Sequence, residues 1–425
     1  MSLDVTAGNA ALRIRYAKGL SRILFDDPKL TPFASQIVRK KGKLVAGAFG
    51  QKFVVPIKYN DPQTAAADYA TGYAAAATAY GQSRYVAFEV LPVLGYSHAR
   101  VTGPAIVQSE DKTSAFVDLG SEELDGQLRV LQRKMAVTAF GTGFGDRAKI
   151  SAVSATTVTL TNKEDIIKFE VDQLLVAAAS PAADVLKATF KTTGNRITAK
   201  NAATGVLTVA GDATATWAAN DYIFILSERQ DSATPVKANW WGVSGWLPTV
   251  APTAGDSWGN VDRSTDPKLH GYRYDASGDG NIRDGLIKAS AFMFNNTGSM
   301  ANPVCWMNPI DFARATIQLE AAGSKLYTQQ GINAKISFSQ IDVFGLSGKF
   351  PLAPDPTCPK GTAYLLDMDT WYVIYSGDDF VHVMSEDGLV YRNVAGADTW
   401  HASARTMSNM VCDAPGDNLV ILGLP

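Results

Sequence analysis

SEELDGQLRVLQRKMAVTAF, from Ser121 to Phe140, reads as the one long amphipathic helix of the chain. Leu124, Leu128, Leu131 and Met135 fall at i, i+4, i+7 and i+11, so a 3.6-residue repeat sets them on a single stripe. Ser121 stands at the expected N-cap. Glu122 and Glu123 meet the positive end of the helix dipole, and Arg133 and Lys134 lie toward its negative end. Gly141 is the expected stop. At 1.5 Å per residue this is a rod of about 30 Å. Upstream lie about a hundred residues of basic arm and extended, Ala-rich ribbon with thin hydrophobic periodicity. A chain that opens in this way and only then folds predicts a building block completed by its neighbours.

The arm is basic. Through Lys58 there are eleven Lys and Arg against three acids, a charge of +8, while the remainder carries −10 within a formal net charge of −2. A basic arm on an acidic body binds nucleic acid or lies across the acidic surface of another copy. Val38, Leu44 and Val45 flank Arg39-Lys40-Lys41, which predicts an arm that docks rather than a loose tail. Arg39, Lys40, Lys41 and Lys43 are therefore candidate inter-subunit contacts. Charged residues make up 19% of the chain, below the usual quarter, and leave neutral surface for burial between subunits. Its 425 residues suffice for about two or three domains, or for one core with large excursions.

Phe49–Ile57 reads as a strand ended by Pro56, and Arg84–Leu94 as a second strand. Between them Thr64–Tyr80 (TAAADYATGYAAAATAY) has Ala where a core needs Leu or Phe, so any helix there is weak. The result is a long hairpin-like ribbon, marginal alone in water. Tyr69, Tyr73 and Tyr80 on its insertion are candidate contacts with a neighbour. Beyond the long helix, Lys149 to Leu226 alternates as short strands. Lys149–Leu160 is faintly echoed 47 residues later by Arg196–Leu207, which predicts a small β-barrel or sandwich. Residues 229–283 are loop-rich and hold Trp240, Trp241, Trp246 and Trp258. Helices at Asp284–Asn295 and Pro309–Ala322 then alternate irregularly with strands, including Thr399–Cys412, so the fold class is α+β around a mixed sheet.

The chemistry-bearing residues do not converge. Asp275, Ser277, Asp279 and Gly280 match the first, third, fifth and sixth positions of an EF-hand loop, but Leu286 stands where the bidentate Glu belongs. An Asx/Gly turn leading into a helix is the expectation. Gly141–Gly145 follows a helix, whereas a dinucleotide loop follows a strand. His98, His270, His382 and His401 have no ligand spacing, and Cys305, Cys358 and Cys412 form no CxxC pair. The tryptophans could stack a sugar, yet they lie where a loop-rich stretch needs core anchors. Met1-Ser-Leu-Asp4 carries no apolar region of the signal-peptide kind, and no stretch has the length of a membrane span. The reading is of a non-enzyme with no cofactor, no metal and no membrane partner.

In its ordered layout the chain resembles the major capsid protein of tailed bacteriophages, the Hong Kong 97-type fold. The resemblance rests on Val54-Val-Pro-Ile-Lys-Tyr59 and Arg84-Tyr-Val-Ala-Phe-Glu-Val90 as strands of an extended loop. It rests also on Ser109–Asp118 leading into Ser121–Phe140 as the spine helix. Val261–Gly271, Trp306–Phe312 and Ala363–Asp367 resemble pieces of an axial domain, and Trp400 with Val411–Ile421 the return strand of a peripheral domain. The resemblance implies an N-terminal arm (1–48), an extended loop (49–107), a peripheral domain with the spine helix (108–146) and an inserted β-rich domain (147–228). A mainly axial domain (229–370) and the remaining axial and return strands (371–425) complete the layout. It implies hexamers and pentamers assembling in the host cytoplasm into an icosahedral virion shell around double-stranded DNA. Implied partners are a separate scaffolding protein, a portal protein and a decoration protein. An encapsulin-like nanocompartment shell and a cytoplasmic enzyme with acidic catalysts are the alternatives.

Overall fold

The computed structural model describes residues 32–47, 50–78, 81–102, 119–182, 185–229, 237–298, 300–321, 341–345, 348–384, 391–393 and 396–425. The chain divides into two compact units. Met1–Gly42, Pro92–Gly242 and Val373–Met410 form the first, and Lys43–Leu91, Val243–Tyr372 and Val411–Pro425 the second.

The first unit is organised by the long helix, Leu119–Ala139. Leu119 and Gly120 also take helical backbone, so Ser121 lies inside the helix and is not its N-cap. A capping residue type marks a helix start only to within a residue or two. Leu128, Leu131 and Met135 are buried as the stripe requires, and the helix packs on the strand Val93–Thr102. Contact is close at Gly95, where a Cβ would come within 3.1 Å of Leu131 and 2.8 Å of Thr406. Ser97 Oγ adds a hydrogen bond to the Gln127 carbonyl at 2.9 Å. Val93–Thr102 pairs antiparallel with Thr399–Cys412 over its whole length, from Val93 opposite Ser408 to Thr102 opposite Thr399. Thr399–Cys412 continues the sheet through Trp371–Tyr375 to Val38–Lys41, and on to Val381–Val383. Within the arm, Pro32–Gln36 and Val38–Lys41 belong to this core. Phe33, Ala34 and Ile37 are buried, and the Phe33 ring lies 4.7 Å from that of Phe140.

After the long helix the chain builds a closed six-stranded barrel. Its order is Val206–Val209, Thr157–Leu160, Ala148–Ser154, Tyr222–Ile225, Leu174–Ala178 and Asn195–Asn201. Alternation turns Ile150, Val158, Leu160, Ile197, Leu207 and Ile223 inward, around Phe169 and Trp217. The repeated sequence is two hairpins of one barrel, Ala148–Leu160 and Asn195–Val209, joined where Leu207 pairs with Val158. Closure leaves no sheet edge to protect. At the root, Arg147 stands just before the first strand and Glu228 just after the last, and their buried side chains form a bidentate pair at 2.5–3.2 Å.

The second unit holds a six-stranded mixed sheet, ordered Tyr272–Asp275, Leu419–Leu422, Thr362–Asp367, Pro303–Met307, Gly348–Pro354 and Ile341–Gly345. Helices Ile282–Thr297 and Pro309–Ala321 pack Leu286, Ala289, Met293 and Ala315 on it. Asn308 starts the second helix by accepting from Ile310 N at 3.0 Å. The ribbon of Gly50–Asn60 and Arg84–Val90 also lies in this unit, paired antiparallel from Phe53 opposite Val90 to Lys58 opposite Tyr85. Two expectations are corrected here. Pro56 does not end its strand, because Val45–Gly47 pairs only with Gly50–Lys52 and leaves Pro56 on an edge where no N–H is required. Arg84–Leu94 is not one strand, because Leu91-Pro92 splits it into Arg84–Val90 and Val93–Thr102. The base of the ribbon is not without a partner surface in its own chain. Phe53, Val55, Ile57, Phe88 and Val90 are buried, and Phe88 lies 5.2 Å from the Trp246 ring.

Candidate assembly surfaces

The outer end of the ribbon differs from its base. A short helix, Tyr69–Ala76, is capped by Asp68, whose carboxylate accepts from Thr71 N at 2.9 Å. Hydrogen bonds from Thr71 hold the Asp68 carboxyl below its ordinary range. None of the helix's residues is buried. Tyr69 and Tyr73, one turn apart, stack with ring centroids 6.0 Å apart and are 85% and 71% exposed. An exposed aromatic pair on an otherwise small-residue helix offers contact area with few rotatable bonds and has no use in the subunit's own core. Tyr80 lies outside the described residues, as do 1–31 of the arm and Ser109–Asp118.

The basic candidates are only partly gathered. Arg39, Lys40 and Lys41 share the strand Val38–Lys41 in the first unit, at the end of its sheet. Lys43 belongs to the second unit with the two tyrosines. Arg39 sits 5.8 Å above the Phe380 ring. Lys41 Nζ meets Asp378 at 2.9 Å, which raises the lysine pKa and lowers that of the aspartate. Both partners are exposed, so this pair is screened by salt and adds little stability. Lys40 and Lys43 are exposed.

A surface that the sequence reading missed lies in the first unit. A groove of about 900 Å³ runs between the long helix, Val93–Thr102 and the barrel. Leu94, Tyr96, Val130 and Val171 are exposed apolar residues along it. Arg133 pairs with Glu170, and Arg147 with Glu228, across the same groove. Lys134 also lines it, half-buried, and burial lowers its pKa. One signal for this surface was present in the sequence. Leu94 and Tyr96 alternate with core residues and therefore point to the opposite face.

The chemical candidates resolve as local structure. Asp275 accepts from Ser277 N at 2.9 Å, Asp279 is taken by Lys288 at 2.5 Å and Tyr274 at 3.1 Å, and Asn281 caps the helix. The loop is an Asx turn with its central carboxylate already paired. Among the described residues no cluster of three or more His, Cys, Asp or Glu could hold a metal. Cys305, Cys358 and Cys412 are buried, and burial pushes the Cys305 thiol up to about 12. Nδ1 of His98 lies 2.9 Å from Ser403 Oγ as a cross-strand pair. Trp240, Trp241, Trp246 and Trp258 are all buried, so no tryptophan platform faces solvent. Among the described residues no helix is long and apolar enough to cross a membrane.

No protein-family model matches the chain, and no curated protein does. Among solved structures it is similar to the capsid asymmetric unit of cyanophage A-1(L), at 10% identity over 92% of this chain and 90% of that one, with a TM-score of 0.49. It is similar to the capsid of a native GTA particle at 8% identity, over 92% and 88%, with a TM-score of 0.47. It is also similar to the holo-SrpI encapsulin complex from Synechococcus elongatus, at 8% identity over 91% and 85%, with a TM-score of 0.41. The structures it resembles are mostly phage capsids, with the encapsulin complex and the GTA particle among them.

Proposed function

We propose that this chain is a structural shell subunit, a major capsid protein of the Hong Kong 97 type. It assembles as hexamers and pentamers into an icosahedral virion shell around double-stranded DNA. The observation that carries this reading is the ribbon. Its base is anchored by Phe53, Phe88 and Trp246, and its outer end presents Tyr69 and Tyr73 with no core behind them. A tip that buries nothing in its own subunit does not recover the cost of ordering its residues, about 1–2 kcal/mol each, until another surface covers it. The buried thiols, the paired Asp279 and the cross-strand His98 support a structural over a catalytic role.

Under this reading Leu119–Ala139 is the spine of a peripheral domain, the mixed sheet belongs to an axial domain and the barrel is an insertion. Arg39, Lys40, Lys41, Lys43, Tyr69, Tyr73 and Tyr80 contact neighbouring copies. A separate scaffolding protein, a portal protein and a decoration protein are its partners, and assembly takes place in the host cytoplasm. The test is to express the chain with its genomic neighbours and to ask whether the particles protect DNA from nuclease. Particles that protect a protein cargo and no DNA contradict the viral assignment. Failure to form particles under any condition contradicts the shell role itself.

A further inference from the structure

His270 is the one buried histidine among the described residues, at 7% exposure. It ends the short turn Pro267–Leu269, immediately before the strand Tyr272–Asp275. Its Nδ1 lies 2.9 Å from an Arg273 guanidinium nitrogen and 2.8 Å from the Gly271 carbonyl. The guanidinium is a permanent donor. Its contact with Nδ1 is therefore a hydrogen bond only while that nitrogen carries a lone pair. Arg273 also donates to the carbonyls of Pro248 at 2.6 Å, Gly271 at 3.1 Å and His270 at 3.3 Å, so the imidazole shares a clamp with three carbonyls.

A second guanidinium reinforces the point. Arg263 is buried and holds the carbonyls of Gly245 at 2.7 Å and Trp246 at 3.4 Å, with Asp256 as its carboxylate. Arg263 thus ties Gly245 and Trp246 to the turn Arg263–Thr265, and Arg273 ties Pro248 to the start of the sheet. Regular structure in the surrounding stretch is sparse, with two-residue strands at Ser257–Trp258 and Val261–Asp262 and single turns at Arg263–Thr265 and Pro267–Leu269, and its remaining hold is the burial of Trp246, Trp258 and Leu269. The neighbouring carboxylates are otherwise engaged. Asp266 caps its own turn by accepting from Lys268 N at 2.9 Å, and Asp417, exposed on the turn packed against it, lies near Lys268. Gly271, at φ +72°, packs closely on Leu247, which an added Cβ would meet at 2.3 Å.

We propose that His270 is an acid-operated latch, whose protonation releases Gly245–Gly271 from the strand Tyr272–Asp275. With the neutral ring's proton on Nε2, a second proton taken from solvent forms an N–H bond at Nδ1, removes the lone pair that accepts from Arg273 and sets two cations side by side. The Gly271 carbonyl can accept the new N–H, but it already serves Arg273. Burial and the charges of Arg273 and Arg263 outweigh that gain and lower the histidine pKa. Because the folded value is depressed, the latch is fully closed above the ordinary histidine pKa of about 6.5. It loosens as pH falls from there toward the folded value.

Hydrogen exchange between pH 7.5 and 5.0, corrected for intrinsic rates, tests this on the full chain. Opening of 245–272 should rise by up to about tenfold per pH unit across that window. His270→Gln, which carries no titrating ring, should abolish the dependence. Nitrogen-15 NMR of the wild-type ring gives an independent readout, with His98, His382 and His401 of the other unit as internal references. The ring should titrate below the ordinary value and in step with the exchange. Protection that does not change with pH, an equal response in His270→Gln, or a ring that titrates without any change in exchange overturns the proposal.

Discussion

Arg147 and Glu228 are 81 residues apart, yet they close the neck of the barrel with both carboxylate oxygens engaged by one guanidinium. Removing one partner strands a buried charge. Arg147→Ala should therefore destabilise the first unit by about 3–5 kcal/mol, whereas Arg147→Met combined with Glu228→Leu should recover most of that loss. Denaturant unfolding of the unassembled chain, followed by a signal from the barrel, measures both. Gly242 makes a second local prediction. A Cβ there would lie 2.5 Å from the Thr138 carbonyl oxygen and 2.6 Å from those of Ala139 and Gly141. Gly242→Ala should cost about 1–3 kcal/mol by overpacking against backbone that cannot give way, read as a lowered melting temperature. Neither feature was legible in the sequence. Charge pairing over such a separation leaves no spacing pattern, and a close approach of backbones is a property of the folded chain alone.

Elements were legible where one period dominates. The stripe of the long helix gave its core face, with Leu128, Leu131 and Met135 buried. The strand expected over Thr399–Cys412 has those same bounds in the structure. Boundaries failed where a local signal was overruled, at Ser121 by a helix that starts earlier and at Pro56 by an open strand edge. The candidate site was legible in part. Alanine content identified the ribbon's outer end as uncored, but nothing in the sequence showed that its base is anchored by Trp246. Hydrogen exchange on the free chain should accordingly protect 53–57 and 86–90 and leave 64–78 open. The latter should gain protection on assembly. Tyr69→Ser with Tyr73→Ser should leave the melting temperature of the unassembled chain unchanged and reduce particle yield. Strong protection of 64–78 in the free chain, or normal yield from the double variant, would count against a contact role for the tip.

At the scale of the whole molecule, the shell reading assigns the basic start and acidic remainder, the uncored tip and the groove beside the long helix to contacts with other copies or other proteins. The arm is not uniform, because Phe33, Ala34 and Ile37 belong to the core of the first unit. Deleting 1–31 should leave a folded subunit with disturbed assembly, while deleting 1–45 should lower stability as well, by loss of those buried side chains and of the strand Val38–Lys41. Circular dichroism separates the two truncations, and light scattering reports their assembly. The central claim is that identical copies close into a shell through repeated interfaces. Electron microscopy of the full chain expressed with its genomic neighbours tests it most directly. The account predicts hollow icosahedral particles with fivefold and sixfold clusters of this subunit; a compact monomer under every condition, turning over a substrate, would contradict it.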